Sequence, residues 1–412
     1  MVEIRLPLDI ESLEIISQST DTQGSIIFEV RSKKSHSTCH KCGKAATKRY
    51  GKAPKLKIKH LPILDTPVFL VIRPIRYECE HCDDHPTTTE QYDWCDRRSS
   101  ITKGLEKYIM RNLIHSTIQD VSRKDGVSYE TVESALDRQV NQEVDWSDYD
   151  NLATLGIDEI SMKKGYQDFV TIVSARPESG PLSVIAVLPN RLKATVLAFF
   201  LSIPKVLRST VKTVCTDMYD GFVQAATEVF GAGAVVLDRY HVAKLYREPL
   251  DALRTKEMEH LKAELPGEEY AKLAGMIWIL RKKHECLSDA DKTTLKALYK
   301  HSPKLKSAHG HALRLTHIFN TKTNRKAAVA KLNRWITRVR KSGVTCFNKF
   351  INTLLKYKSG IANYFKARKN SGFVEGLNNK IKVAKRRCYG LLKTTSLFQR
   401  LQLDLIGFVK YA

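Results

Sequence analysis

Between residues 151 and 241 short apolar runs alternate with amphipathic stretches, and this alternation limits the possible fold more than any other feature of the chain. In order, the runs are LATLGIDEIS, DFVTIVSAR, LSVIAVLP, ATVLAFFLSIP, VKTVCTDM, DGFVQAATEVF and AVVLDRYH, which predict strand, strand, strand, helix, strand, helix, strand. That order predicts an α/β layer built on a mixed sheet. After His241 the strand signal stops, and residues 243–360 carry a Lys/Arg-rich helical pattern. A further helix is predicted to start near Asn370 and Ser371, followed by a closing amphipathic helix, TSLFQRLQLDLIGFVKY.

Upstream the pattern differs. Residues 1–100 predict short strands and turns, with IIFEVRSK (26–33) and PVFLVIRPIRYEC (67–79) as the main strands. Residues 101–150 turn helical and end in the acidic linker VDWSDYD (144–150). The expected organisation is a multidomain α/β chain: 1–100 as a zinc-binding domain, 101–150 as a helix-turn-helix, and 151–242 as the first part of a catalytic domain. Residues 243–360 form a helical insertion, and 361–412 complete the catalytic domain.

Lys and Arg number 68 against 44 Asp and Glu, a net charge of +24. Such an excess calls for a polyanionic partner. A membrane surface is the competing polyanion, but no run of about 18 apolar residues exists, and MVEIRLPLDIESLEI has no basic start followed by an apolar segment. A soluble, unsecreted, cytoplasmic protein is therefore expected, one that joins the nucleoid when bound to DNA.

Five of the nine cysteines lie in the first hundred residues, and four form two knuckles, CHKC at Cys39 and Cys42 and CEHC at Cys79 and Cys82. Each spacing lets one tight turn present two thiolates, and two knuckles complete a closed tetrahedral zinc shell that stabilises a fold and does not catalyse. His36, His40, His81, His85 and Cys95 are alternative ligands.

In STIQDVSRKDGVSYETVESALDRQV a helix stops at Asp125-Gly126 and another opens with Ser128 as N-cap, the outline of a helix-turn-helix. Its second helix would enter a major groove with Ser128, Tyr129, Thr131 and Arg138 among the DNA-contacting residues. Any helical hairpin would share this outline.

Asp158 and Asp217 each follow an apolar strand, 59 residues apart. If those strands are neighbours, both carboxylates leave the same sheet edge. Two such carboxylates and a third from a helix bind two Mg²⁺ about 3.5–4 Å apart, which serve in-line phosphoryl transfer. Glu375 in NSGFVEGLNNKIKVAKRR supplies the third, on a helix whose stripe of Val374, Leu377, Ile381, Ala384 and Cys388 would pack on the sheet. On another face Glu375, Asn379, Lys382 and Arg386 align, and with Lys385 and Arg387 the helix end forms a basic row for phosphates. Glu159 and Asp220 are rivals for the first two ligand positions, and any one of these acids alone reads equally as a cap or a surface group.

The stretches GIDEIS with QDFVTIV, VCTDMYDGFVQAATEVF, VVLDRYHVAKL and NSGFVEGLNNKIKVAKRRCYG, together with the Cys pairs and the helix-turn-helix, resemble the bacterial insertion-sequence DDE transposases of the ISL-three group over essentially the whole chain. The first knuckle lacks a proline that many of that group carry. The resemblance implies a ribonuclease-H-like mixed sheet interrupted by an all-helical insertion, and it carries the triad onto Asp158, Asp217 and Glu375. Asp238 and His241 are similar to the Cys/Asp-x-x-His element of related transposases; His241 either organises the site or DNA or is a structural histidine at a strand-to-helix junction. Trp278 and Trp335 either stack on an unpaired base or belong to the helical core.

The function implied is binding of an element's terminal inverted repeats, Mg²⁺-dependent cleavage that frees a 3′-hydroxyl, and attack of that hydroxyl on target DNA, carried out by two copies of the chain. No Tyr or Ser nucleophile is needed. Two rivals stay open: a transposase-derived DNA-binding regulator without nuclease activity, and a structure-specific nuclease without end preference. In the transposase reading Asp217→Asn abolishes strand cleavage and leaves end binding unchanged, and repeat-bearing duplexes are cut in preference to scrambled ones. Equal cleavage of both duplexes would favour the structure-specific nuclease.

Overall fold

The computed structural model describes residues 8, 10–163, 167–282, 284–368, 372–388 and 393–411. The chain divides into two units, one of Met1–Gln142 with Gln399–Ala412 and one of Glu143–Phe398.

In the first unit strands β1 (Leu13–Thr20) and β2 (Ile26–Ser32) form a hairpin. The pairs β3 (Ser37–Thr38) with β4 (Ala45–Ala46) and β5 (Lys48–Lys52) with β8 (Ile75–Glu78) and β9 (Thr87–Thr89) carry the cysteine knuckles. Strands β6 (Leu56–Ile63) and β7 (Thr66–Ile72) complete a four-stranded sheet in the order β1-β2-β7-β6. Alternation along β7 turns Val68, Leu70 and Ile72 inward against Phe28, Val30 and Ile58. The single strand expected over 67–79 is two strands, β7 and β8, separated at Arg73-Pro74, where proline has no N–H to donate to a ladder.

Three capped helices follow. Helix α1 (Lys103–Leu113) opens on Thr102, α2 (Ile118–Asp125) on Thr117 and α3 (Tyr129–Gln139) on Ser128, each cap oxygen accepting from a first-turn N–H. Gly126 closes α2 at φ 58°, a left-handed position that glycine holds without strain. Leu105, Ile109, Leu113, Val121, Val132 and Leu136 form the core of the trio. From Gln399 onward the closing helix (Thr394–Tyr411) belongs to this unit, with Leu403 and Tyr411 in the same core. Gln399 donates to Asp137 and to the carbonyl of Val140, and the Tyr411 hydroxyl donates to the carbonyl of Gln139. This differs from the expected assignment of all of 361–412 to the catalytic part: the apolar stripe of the closing helix covers α1 and α3.

The second unit opens on the expected alternation. Strands β10 (Thr154–Lys163), β11 (Gln167–Arg176) and β12 (Ser183–Leu188) are antiparallel, and β13 (Thr213–Thr216) and β14 (Val235–Leu237) run parallel to β10 on its other side, giving the order β12-β11-β10-β13-β14. Helices α4 (Lys193–Ser202), α5 (Lys205–Ser209) and α6 (Asp220–Phe230) fall between the strands. A run of helices then follows: α7 (Arg239–Glu264), α8 (Gly267–Ala271), α9 (Met276–Ile279), α10 (Asp289–His301), α11 (Pro303–Asn320), α12 (Arg325–Lys341), α13 (Asn348–Lys356) and α14 (Lys358–Ala367). One core runs without a break from Val214 and Phe222 at the sheet to Leu305, Trp335 and Phe347 among the helices. Asn363, buried in α14, donates to the carbonyls of Ala232 and Val235 and ties the end of the run to β14. Helix α15 (Gly372–Arg387) then returns to β10. Among the described residues no helix is long and apolar enough to cross a membrane.

Glu106 on α1 is only 2% exposed, and its carboxylate is held by Arg138 at 2.8 Å and Gln139 at 2.9 Å. Arg138→Ala strands that carboxylate, and we expect a loss of about 2–3 kcal/mol, below the full cost of breaking a buried pair because Arg138 is itself partly exposed. Chemical denaturation followed by near-UV circular dichroism measures it, and Glu106→Leu in the same chain should recover most of the loss.

Candidate active site and metal centre

Strand register decides which acids meet. Thr154 pairs with Thr213 and Gly156 with Cys215, a constant step of 59 residues between β10 and β13. Two residues further on, the same step sets Asp158 beside Asp217. Val214 pairs with Val235 and Thr216 with Leu237, a step of 21 between β13 and β14, and the next residue sets Asp217 beside Asp238. Three aspartates thus stand at one level on adjacent parallel strands: Asp217 and Asp238 just past the ends of β13 and β14, and Asp158 within β10, which runs on to Lys163 instead of ending before it as its apolar run suggested.

Side chains two apart on a strand share a face, so Asp158 lies on the same face as Gly156. A Cβ built on Gly156 would lie 2.4 Å from Val374 and 2.9 Å from Phe373. Glycine there lets α15 seat directly on β10, and Val374, Leu377, Ile381 and Ala384 are all buried as the stripe requires. One turn beyond Val374, Asn378 is 8% exposed and donates its amide to Asp158. Its Oδ1 is buried without a hydrogen-bond partner among the described residues. Glu375 lies within α15, three residues before Asn378; its side chain lies outside the described residues.

Burial pushes the Asp158 carboxyl above the ordinary aspartate range, and the charge of Asp217 adds to the shift. Burial likewise raises Asp217, helped by Glu159 and Asp238. The N–H groups of Glu159 and Tyr219 donate to Asp158 and Asp217 at 2.8 and 3.0 Å, and His241 acts on both carboxylates in the opposing direction. Like charges held together and partly withdrawn from water are the setting a divalent cation relieves. Asp238 caps α7 through the N–H of Tyr240, with His241 Nε2 3.8 Å from its other oxygen. Glu159 is drawn to Arg191 at 3.1 Å, whose guanidinium lies over Phe169 and Tyr219. Asp220 accepts from Lys356 and Tyr357, each at 2.6 Å. Asn378 went unnoticed in the sequence, although a polar residue one turn from Val374 on an apolar stripe was its signal.

The four cysteines converge. Every sulfur of Cys39, Cys42, Cys79 and Cys82 lies within 4.8 Å of the others, with separations of 4.0, 3.6 and 3.8 Å for Cys39–Cys82, Cys42–Cys79 and Cys79–Cys82. A tetrahedron with metal–sulfur bonds of ~2.3 Å has edges of ~3.8 Å, so the donor set fits a four-thiolate ion. The N–H groups of Cys42 and Lys41 pull the Cys39 thiol down to about 6, while burial and the neighbouring sulfurs push Cys82 up to about 12. Of the alternative ligands, His40 bonds Thr88, His85 bonds the carbonyl of Cys79, and Cys95 sits in the core beside Trp94. His36 and His81 are not among the converging ligands, although the His81 N–H donates to the Cys79 sulfur.

Of the expected DNA contacts, Ser128 and Thr131 hydrogen-bond each other at the start of α3, and Tyr129 is exposed there. Arg138 turns to Glu106 instead of outward, because that buried carboxylate needs a countercharge. On α15 Lys382 and Arg386 are exposed and Arg387 is half-buried, whereas Lys385 donates to the carbonyl of Ser161 on β10. Trp335 is 2% exposed, donates to the carbonyl of His311 and packs on Phe347 and Phe350, so a base cannot reach it. Its indole fills the core between α11 and α13. Trp278 is 66% exposed.

A family model described as "Transposase" matches residues 155–401, and one described as "Helix-turn-helix domain of transposase family ISL3" matches residues 90–140. The transposase for insertion sequence element IS1001 of Bordetella parapertussis is 25% identical over 370 residues, covering 90% of this chain and 89% of that protein. The transposase for insertion sequence element IS1557 of Mycobacterium tuberculosis is 23% identical over 425 residues, covering 97% of this chain and 92% of that protein.

A carboxylate whose folded-state pKa is raised stabilises the fold below its unfolded pKa, and that contribution is lost as pH rises through the raised value. Above it, the charged Asp158 and Asp217 weaken the metal-free fold and a divalent cation offsets the cost. Addition of MgCl₂ should therefore raise Tm more at neutral pH than near pH 4, and Asp158→Asn with Asp217→Asn should remove the difference. Equal shifts at both pH values would contradict the assignment.

Proposed function

The chain belongs to the ISL3 family of insertion-sequence transposases, and from that membership we propose that it cuts and rejoins DNA at a two-metal site held by Asp158, Asp217 and Glu375. The observation that carries this reading is the 59-residue register step that sets Asp158 and Asp217 side by side while α15 seats against β10 at Gly156. Glu375 lies within the same helix, three residues before the Asn378 that reaches Asp158, the spacing at which two residues of a helix share a flank. The sheet order, three antiparallel strands followed by two parallel to the first, supports a ribonuclease-H-like core.

Bound there, two Mg²⁺ ions supply the Lewis acidity for in-line phosphoryl transfer, in which a hydrolytic cut frees a 3′-hydroxyl that then attacks target DNA. The residues of the chain set the conditions for that chemistry. Asn378 fixes the rotamer of Asp158, and the N–H groups of Glu159 and Tyr219 orient one oxygen of Asp158 and of Asp217. His241, within electrostatic reach of both carboxylates, organises the entry to α7 with Asp238. No protein nucleophile is required.

The N-terminal unit reads the element ends. Its helix-turn-helix presents Ser128, Tyr129 and Thr131 at the start of α3, and zinc on the four cysteines holds the neighbouring strands in place. Lys382 and Arg386 receive phosphates beside the cut, and exposed Trp278 is available to an unpaired base. Both element ends must be held at once, so two copies of the chain act together on DNA.

Glu375→Gln, which keeps the size of the side chain and removes its charge, should eliminate Mg²⁺-dependent nicking of element ends while end binding measured by gel shift stays within twofold. Retained nicking would reassign the third ligand. Loss of end binding as well would mean that the substitution has disturbed more than the metal site.

A further inference from the structure

From Lys292 to Val374 the chain carries 20 Lys and Arg residues and not one Asp or Glu, so a fifth of the sequence supplies most of the net +24. Random scatter of the chain's 44 acids would place several there. Within this segment α11 and α12 flank a cavity of about 400 Å³. Arg314, Lys331, Arg334 and Arg338 line it, and Leu313 and the edge of Trp335 form its floor. Among the described residues none of these four cations takes part in an ion pair, in contrast to Arg191, Arg254 and Lys282 of the same unit, which do.

We propose that this groove is a second DNA-binding surface, separate from the helix-turn-helix, that grips the sugar-phosphate backbone of one strand of duplex DNA without regard to sequence. Lys331, Arg334 and Arg338 stand at i, i+3 and i+7 and so share one flank of α12 over about 10 Å. The backbone winds around the duplex, so successive phosphates of one strand are spaced more widely than the axial rise, and that length faces about two of them. Arg314 meets the row from the facing helix. The apolar floor suits the deoxyribose edges between phosphates, which carry no charge to solvate. An acidic protein partner would need the same charge but not this regular spacing, and duplex DNA is the polyanion this family handles. The proposal rests on the helical segment alone and not on the metal site.

The test is fluorescence anisotropy of a random-sequence duplex lacking element ends, with the full chain, no added divalent ion and a series of KCl concentrations. Each lost phosphate contact reduces the slope of log K against log salt by about 0.9, so Arg334→Ala with Arg338→Ala should flatten it by about 2. Arg334→Lys with Arg338→Lys, which keeps the charge, should restore the slope. Lys256→Ala with Lys262→Ala, two exposed cations on α7, is the charge-matched control and should change it by much less. A groove variant no different from that control overturns the proposal, as does a loss seen only with single-stranded DNA. Because no metal is present, a wrong triad would leave this result unchanged, and a wrong groove would leave Glu375→Gln inactive in nicking.

Discussion

Two aspartates brought side by side on adjacent parallel strands, and partly withdrawn from water there, are the constraint on which this unit depends. Burying them costs stability in the metal-free chain, as their raised pKa values express. A fold retains such a cost when a bound cation offsets it and a function needs the cation. The surrounding features all serve that arrangement: the constant register between β10 and β13, the missing side chain at Gly156, and the amide of Asn378 that holds Asp158.

The N-terminal unit solves a different problem. The strands around its cysteine knuckles are short and the core there is small, so close-packed apolar residues alone supply limited stability at that end. Four sulfurs at tetrahedral separations would let one ion fasten two loops that are otherwise linked by polar contacts such as His40 with Thr88 and Lys41 with Asp84. Metal binding there would be coupled to folding in a way that ions at the carboxylates need not be. The two donor sets differ in chemistry, soft thiolates suited to close around one ion and hard carboxylates suited to divalent ions that keep open positions.

Local patterns in the sequence carried most of the architecture. The strand and helix order from Thr154 to Leu237 follows from apolar runs, the cap at Ser128 from a side chain that accepts an N–H bond, and the cysteine cluster from two equal spacings. What stayed illegible was long-range. The packing of the closing helix on α1 and α3, the turn of Arg138 toward Glu106 and the burial of Trp335 all depend on partners tens to hundreds of residues away. The unbroken core from sheet to helical run was hidden for the same reason, since an amphipathic helix announces that it packs without naming against what. Gly156 and Asn378 fall between these cases, visible as oddities in their stripes and meaningful only once β10 and α15 meet.

The most direct measurement is anomalous diffraction from crystals of the full chain soaked in Mn²⁺, a stand-in for Mg²⁺ that scatters strongly. The account predicts manganese between the carboxylates of Asp158 and Asp217, with an oxygen of Glu375 at a bonding distance of about 2.0–2.2 Å, close to that of Mg²⁺. Manganese bound elsewhere, or bound to the two aspartates with Glu375 turned away, would contradict it.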